Sequence, residues 1–277
     1  MASNSVNLDS LLLAHAQLAR VRQKCFHASV HWDFALILLV LATAVPLLGR
    51  RRIRRLMEAP STTKTERLVL YASTIAFQWI AVAVILWRTH AHALSLASLG
   101  LAVPKPGLAL ITAIVLSALI LVNQVIALRR LEDHPEGSAH GILPHLALKV
   151  FPQDGVERLG FTSLVSTVAI CEELIYRGFA QRVFQDWATN YAGVLVAVCM
   201  GVIGSAAMFS LAHLYQGPRG LVSTFVVGLL FSIVRAFTGS LVPASAAHFV
   251  ADITAGFMAP GRLKSALARS RPTVGCE

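Results

Sequence analysis

Residues 68–87 read LVLYASTIAFQWIAVAVILW, twenty consecutive residues without a charged side chain. A helix needs about 20 apolar residues to cross the hydrocarbon core of a bilayer. Further candidate spans are Leu108–Leu128, Tyr191–Tyr215 and the shorter or more polar Phe34–Leu48, Gly160–Ala180, Leu221–Phe237 and Leu241–Ala259. We therefore predict an all-α, polytopic transmembrane helix bundle of about seven helices, or eight if a further N-terminal helix crosses.

The composition excludes an ordinary soluble domain. Of the 277 residues, 56% are hydrophobic and 14% are charged, and the mean hydropathy is +0.65. Soluble domains carry about 25% charged residues. The four cysteines are scattered without a C-x-x-C pair, which argues against a disulfide framework and against a four-cysteine metal site. The chain is therefore predicted to be a multi-pass integral membrane protein.

The distribution of basic residues favours a membrane surface over nucleic acid as the partner of the positive charge. The formal net charge is +10, and seven of the 24 Lys and Arg residues fall in the stretch Arg50–Arg67. Cytoplasmic loops of membrane proteins carry such an excess and lie beside anionic lipids. We predict that this basic loop and the C-terminus are cytoplasmic, that the partner is the lipid bilayer, and that no nucleic acid is bound.

Ionisable residues inside the apolar runs are concentrated after residue 160. The segment EELIYR contains Glu172, Glu173 and Arg177. Each charge at the centre of a span costs about 2.5–3.5 kcal/mol. Glu173 and Arg177 have the i, i+4 order of a helical ion pair, whereas Glu172 is rotated by about 100° around the helix. The pattern predicts one paired glutamate and one available glutamate; a buried ion-pair network that only fixes helix packing is the alternative.

Two more polar pairs, each one helical turn apart, lie in later runs. FSLAH places Phe209 four residues before His213, and HFVAD places His248 four residues before Asp252. Two histidines and an acid on separate spans, together with an available glutamate, predict side chains that converge on one hydrated pocket. Unrelated packing sites are the alternative.

The ordered set EELIYR, FSLAH and HFVAD resembles the three motifs of the CPBP intramembrane protease family, also called the CAAX protease and bacteriocin-processing, or Abi, family. That family has two glutamates followed after three residues by an arginine, then Phe-x-x-x-His, then His-x-x-x-Asn or another small polar residue. HLYQGPRG, which begins at His213, is similar to many bacterial members. The resemblance covers roughly residues 160–260.

Composition and this resemblance together divide the chain into four parts. Leucines at helical spacing before a basic cluster predict an amphipathic helix that lies on the membrane near the N-terminus. The parts are an N-terminal amphipathic or interfacial segment (1–33), an N-terminal transmembrane half with the basic cytoplasmic loop (34–159), a CPBP/CAAX protease-like catalytic transmembrane core (160–260) and a basic C-terminal tail (261–277).

The resemblance implies a role for each motif residue. Glu172 and His213 would activate a water, His248 and Asp252 would bind the scissile carbonyl, and Glu173 with Arg177 would form a structural ion pair. Eukaryotic and archaeal CAAX enzymes have asparagine where this chain has Asp252. Because an ionised aspartate cannot donate to an oxyanion, Asp252 is expected either to be protonated or to orient His248 through a ring N–H.

A metal-dependent mechanism is the rival chemistry. Glu172, His213 and His248 are one carboxylate and two imidazoles, the ligand set of a catalytic zinc with an open position. The H-E-x-x-H pattern of many zinc proteases does not occur in the sequence. No cofactor is firmly predicted, zinc remains the alternative, and a metal-independent glutamate mechanism is favoured.

The function predicted from these residues and from the resemblance is that of an intramembrane endopeptidase. Its partner would be a peptide or protein substrate, which in the family's best-known branch is a prenylated C-terminal tail. Two alternatives stay open. The chain could be a non-catalytic immunity or scaffold protein of the same family, or a proton-coupled transporter, since chains of Glu, His and Asp also build proton relays.

Overall fold

The computed structural model describes residues 31–133 and 142–269. Within these ranges the chain is mostly helical and contains no β-strand. The helices are α1 (Trp32–Ala42), α2 (Ala44–Glu58), α3 (Lys64–Ala91), α4 (Pro106–Asp133), α5 (Ile142–Val150), α6 (Gly155–Glu172), a π-helix (Glu173–Ala180), α7 (Gln181–Thr189), α8 (Val194–Ala212), a 3-10 helix (Leu214–Gln216), α9 (Gly217–Thr238) and α10 (Val242–Arg269). The all-α prediction is confirmed. The amphipathic helix predicted near the N-terminus lies in residues 1–30, outside the described residues.

The described chain contains six helical segments that are long and apolar enough to cross a membrane. They are Trp32–Glu58, Lys64–Ala91, Pro106–Arg130, Gly155–Thr189, Val194–Ala212 and Leu214–Thr238. The seventh predicted run, Leu241–Ala259, is helical as part of α10 but is not among the six. The protein is therefore a multi-pass integral membrane protein, as predicted, with a bundle of about seven helices.

The continuous segment Gly155–Thr189, formed by α6, the π-helix and α7, is the most enclosed of the six. Of its most apolar stretch, 56% is buried inside the protein, against 17–44% in the other five segments. Phe179 of the π-helix packs in one apolar cluster with Phe34 of α1, Ile85 of α3 and Met208 of α8. The charged motif therefore lies in the middle of the bundle, surrounded by other helices.

A buried ion pair connects the beginning of α3 to the beginning of α6. Thr63 and Glu66 form a reciprocal capping box at the start of α3, and Asp154 caps α6 by accepting a hydrogen bond from the backbone N–H of Glu157. Arg67 donates to Glu157 Oε1 from Nε at 3.0 Å and from Nη2 at 2.8 Å. The side chains are 7% and 1% exposed. Because a buried charge needs a partner, this pair fixes the relative position of the two helices.

The basic stretch Arg50–Arg67 is mostly helical, which corrects the prediction of a loop. Residues 50–58 complete α2, and Lys64 already begins α3. Lys149 of α5 donates to the Leu56 carbonyl at 2.9 Å, near the C-terminal end of α2. Cations are favourable at helix C-termini, so a run of basic residues in the sequence fits a helix end as well as a solvated loop.

A glycine allows α10 to approach α6 closely. Gly256 follows His248 by two helical turns and Asp252 by about one, so the three share a face of α10. A Cβ atom at Gly256 would stand 2.0 Å from Cε1 and 2.4 Å from Cζ of Phe161. The face of α10 that carries His248 and Asp252 therefore packs against α6, which carries Glu172 at its end.

We expect the Gly256→Ala variant to unfold at a lower temperature than the wild type. The added methyl group would displace the Phe161 ring, at a cost of about 1–3 kcal/mol. Gly261→Ala is the matched control on the same helix, because a Cβ there meets no atom within 4 Å. Thermal unfolding of the detergent-solubilised variants measures the difference, and equal midpoints for both variants would contradict this packing.

Candidate active site

The first motif lies where the helix changes its hydrogen-bonding pattern. α6 ends at Glu172, and the π-helix takes over from Glu173 to Ala180. Every residue of this π-helix is buried. The sequence had predicted one regular span, Gly160–Ala180, and periodicity alone gives no sign of the change. π-helical turns are rare and are frequently found at functional sites.

Glu173 holds two partners from two directions. Its Oε1 accepts a hydrogen bond from Arg177 Nη1 at 2.9 Å, and both side chains are fully enclosed. The same oxygen lies 2.9 Å from His248 Nδ1. Because a carboxylate only accepts, Nδ1 carries the proton of this hydrogen bond. The ion pair expected from the spacing is present, and Glu173 additionally orients the His248 ring.

The Arg177 guanidinium also lies close to two aromatic rings. Its Cζ atom lies 4.0 Å from the ring centroid of Phe209 and 5.4 Å from that of Phe231. Such cation–π contacts are stronger when the cation is removed from water. They help to offset the cost of enclosing this charge.

Asp252 does not orient His248 through a hydrogen bond. Its Oδ2 lies 3.6 Å from His248 Nε2, which is beyond hydrogen-bonding distance. The Asp252 side chain is 37% exposed, whereas that of His248 is 8% exposed. The ring is held through its other nitrogen, Nδ1, which is hydrogen-bonded to Glu173.

Glu172 faces a different neighbour from Glu173. Its Oε1 accepts a hydrogen bond from Gln78 Nε2 of α3 at 2.9 Å. Its Oε2 is buried and has no hydrogen-bond partner among the described residues. The adjacent glutamates thus differ as the spacing predicted: one is paired with a cation, and the other has only a neutral amide as its hydrogen-bond partner.

His213 lies at the end of α8 with one ring nitrogen engaged. Nδ1 is 2.9 Å from the carbonyl oxygen of Phe209, one turn earlier. A carbonyl only accepts, so this nitrogen donates, and in the neutral ring Nε2 keeps a lone pair. The Phe209 ring lies 4.7 Å from the His213 ring and 5.9 Å from the His248 ring, centroid to centroid.

Side chains from three separate helical segments meet around Phe209. Arg177 Cζ lies 4.0 Å, the His213 ring 4.7 Å and the His248 ring 5.9 Å from the centroid of the Phe209 ring. The structure therefore brings together Arg177, His213 and His248, with Glu173 and Asp252 next to His248, while Glu172 adjoins Glu173 and contacts Gln78. They form one polar cluster in the middle of the bundle.

Gln78 is the site residue that sequence reasoning missed. It lies on α3, is buried, and is the hydrogen-bond partner of Glu172. The available signal was a single amide inside twenty residues without charge. An amide in a membrane span is common enough at helix contacts that this signal alone did not point to Glu172.

The described residues fit the zinc alternative poorly. Glu172, His213 and His248 do not place their ligand atoms within 4.8 Å of one another; the set of three that does so is His31, Asp33 and His92. In that set, the Asp33 Oδ2 atom already accepts a hydrogen bond from Arg88 Nε at 2.7 Å. That contact ties α1 to the end of α3, remote in sequence from the three motifs.

The fold and the cluster together define a helical membrane protein with a buried Glu–His site. Residues 156–254 match the family model described as Rce1-like, type II CAAX prenyl endopeptidase Rce1-like. This match supports the resemblance to the CPBP, or CAAX protease, family that the three motifs predicted, and with it the general class of a membrane peptidase. No curated protein and no solved structure gave a significant match.

We expect Glu173→Ala to destabilise the protein more than Glu172→Ala. Removing Glu173 leaves the buried Arg177 without a carboxylate, at a cost of about 3–5 kcal/mol. Removing Glu172 leaves the amide donor of the buried Gln78 without its carboxylate partner, at a cost of about 1–3 kcal/mol. Thermal unfolding of the two neighbouring variants in the same detergent compares them directly. Similar losses would show that Glu173 does not carry the ion pair that holds the site.

Proposed function

We propose that the protein is an intramembrane endopeptidase that hydrolyses a peptide bond of a membrane-associated or C-terminal-tail substrate by a Glu172- and His213-activated water. The observation that carries this proposal is the hydrogen bonding of the two Glu172 carboxylate oxygens. One carboxylate oxygen is fixed by Gln78, and the other is buried without a hydrogen-bond partner in the described chain. The family match to residues 156–254 supports the same reaction class.

Glu172 acts as the general base. Because Gln78 holds Oε1, Oε2 is the atom that takes a proton from the attacking water. General base catalysis contributes about 10²–10⁴-fold to a reaction rate. A carboxylate suits this role when its partner is neutral, since a cation at hydrogen-bonding distance would compete for its lone pairs.

His213 orients the same water. Its Nδ1–H donates to the Phe209 carbonyl near the end of α8. Because this contact fixes the ring, Nε2 is the nitrogen that accepts a hydrogen bond from the water. The His213 ring also lies 5.8 Å from the Tyr215 ring, and the neighbouring rings limit its rotation.

His248 stabilises the oxyanion, with Glu173 as its positioning residue. In the proposed step the ring carries a proton on both nitrogens. Nδ1–H donates to Glu173, and Nε2–H donates to the carbonyl oxygen of the substrate. Hydrogen-bond donors aimed at the position of a developing oxyanion are commonly the largest single contribution to such reactions.

Asp252 supports the charge of His248. Its carboxylate is near the His248 ring without a hydrogen bond to it. An ionised aspartate has no proton to donate to an oxyanion, which sets this chain apart from relatives with asparagine at this place. We therefore assign carbonyl binding to His248 alone.

The proposed reaction balances without any other reactant. The water oxygen bonds to the carbonyl carbon as Glu172 takes one of its protons, and the negative charge moves to the carbonyl oxygen. The C–N bond then breaks as the nitrogen receives that proton from Glu172. The products are one carboxylic acid and one amine.

The substrate is proposed to be a peptide segment held at the membrane, with a lipid attached to its C-terminal region. The family description names a CAAX prenyl endopeptidase, and the cluster lies inside a bundle with large apolar side chains on its outer surface. We propose further that the α2–α3 connection and the C-terminus face the cytoplasm, because basic residues concentrate on that side.

Replacing Glu172 or His213 by alanine is expected to reduce kcat/KM by at least about 10²-fold, with the folded protein retained. The measurement is cleavage of a membrane-anchored peptide library by purified protein in lipid. Glu58→Ala and His90→Ala are the matched controls, because both residues are exposed and lie outside the cluster.

Two outcomes would contradict this assignment. Cleavage by the Glu172→Ala variant at the wild-type rate would remove the proposed base. Binding of library peptides by the wild type without any cleavage would favour a non-catalytic member of the family.

Chelation is expected to leave the activity within about twofold of its untreated value, since no step requires a Lewis acid. Activity is measured before and after treatment with 1,10-phenanthroline, together with the zinc content of the protein. A zinc endopeptidase assayed in the same detergent serves as the control that loses activity. Stoichiometric zinc that is needed for turnover would overturn the metal-independent mechanism.

A further inference from the structure

A second polar site lies beyond Arg177, at the end of the bundle where α3 and α9 end and α4 begins. It is a cavity of about 380 Å³. Its polar lining consists of Ser98, Arg177, Gln181, Arg182, Gln185 and Arg235. Arg177 and Gln181 are buried and form its floor, while Ala97, Pro104 and Ala236 are exposed and form its rim.

The cavity is positively charged. Three of its lining side chains are arginines, and none is acidic. Arg177 is paired with Glu173, and Arg182 Nε is paired with Asp186 Oδ2 at 2.7 Å. Arg235 has a neutral partner, since its Nη2 donates to the Ser98 carbonyl at 3.0 Å. Arg182, another cation, lines the same cavity.

Several buried donors of these arginines are unsatisfied. Arg177 Nε, Arg177 Nη2 and Arg235 Nε have no hydrogen-bond partner among the described residues. A buried donor without a partner is costly, and more so when it carries a charge. The surroundings therefore favour a ligand that brings negative charge and several acceptor oxygens.

We propose that this cavity binds a phosphate group carried by the headgroup of an anionic membrane lipid. A phosphate has several acceptor oxygens, and the planar guanidinium fork binds them in a bidentate manner. The rim supports a lipid as the source: Leu96 and Phe237, which adjoin the rim residues Ala97 and Ala236, are 60% and 66% exposed. A phosphate in the cavity would thus have apolar surface beside it for acyl chains.

This inference does not rest on the proposed protease mechanism. The two sites share only Arg177, whose Nη1 is directed at Glu173. Arg182 and Arg235 belong to the cavity and to none of the catalytic assignments. They can be changed without altering the Glu172–His213–His248 cluster.

The experiment measures the thermal unfolding midpoint of the full chain in detergent with added dioleoylphosphatidylglycerol, with dioleoylphosphatidylcholine, or with inorganic phosphate. The variants are Arg235→Gln and Arg182→Gln. The second keeps the test decisive if the first does not fold, because the Arg182 side chain is 38% exposed. Arg158→Gln is the control for a general loss of positive charge, since Arg158 is exposed on α6.

We expect phosphatidylglycerol to raise the midpoint of the wild type and of Arg158→Gln, while phosphatidylcholine has little effect. In Arg235→Gln and Arg182→Gln, the lipid concentration needed for half of the shift should rise at least about tenfold. An equal, Arg235-dependent shift with inorganic phosphate would confirm the phosphate site and identify a free anion as its ligand. An unchanged response in both variants, or equal responses to the two lipids, would overturn the proposal.

Discussion

The rest of the site depends on one carboxylate oxygen, Glu173 Oε1. It accepts hydrogen bonds from both Arg177 Nη1 and His248 Nδ1. One oxygen joins the π-helix to α10 with no solvent exposure at the ion pair. Inside a membrane protein an unpaired carboxylate is strongly disfavoured. Glu173 therefore constrains two helices at once, and the direction of the His248 ring follows from the position of this carboxylate.

The two adjacent glutamates illustrate how environment divides chemistry between identical side chains. Glu173 has a cation and an imidazole as hydrogen-bond partners, and both contact the same oxygen, Oε1. Glu172, one residue earlier, is held by the Gln78 amide through one oxygen only. Pairs of titratable groups in contrasting environments are a recurrent feature of sites that need one structural acid and one reactive acid.

Local spacing predicted part of this arrangement and could not predict the rest. The helices follow from apolar length, and the Glu173–Arg177 pair follows from i, i+4 geometry within one turn. The Gln78–Glu172 and His248–Glu173 contacts join residues 94 and 75 positions apart. Such contacts depend on how whole helices rotate and tilt against each other, and on glycines such as Gly256 that set the distance between them. The sequence analysis assigned Arg67 to a basic loop because spacing along the chain cannot show its buried partner, Glu157, which lies on another helix.

Arg177, the arginine of the first motif, combines several contacts that suit a guanidinium group. It lies over the Phe209 and Phe231 rings, donates to Glu173 from one nitrogen, and lines the cationic cavity with the rest of its side chain. A planar group with donors along its edge can stack on rings and donate in the same plane. A lysine ammonium is a point charge and could not fill these roles together. The ion pair, the aromatic contact with the motif phenylalanine and the floor of the second site are thus three consequences of one side chain.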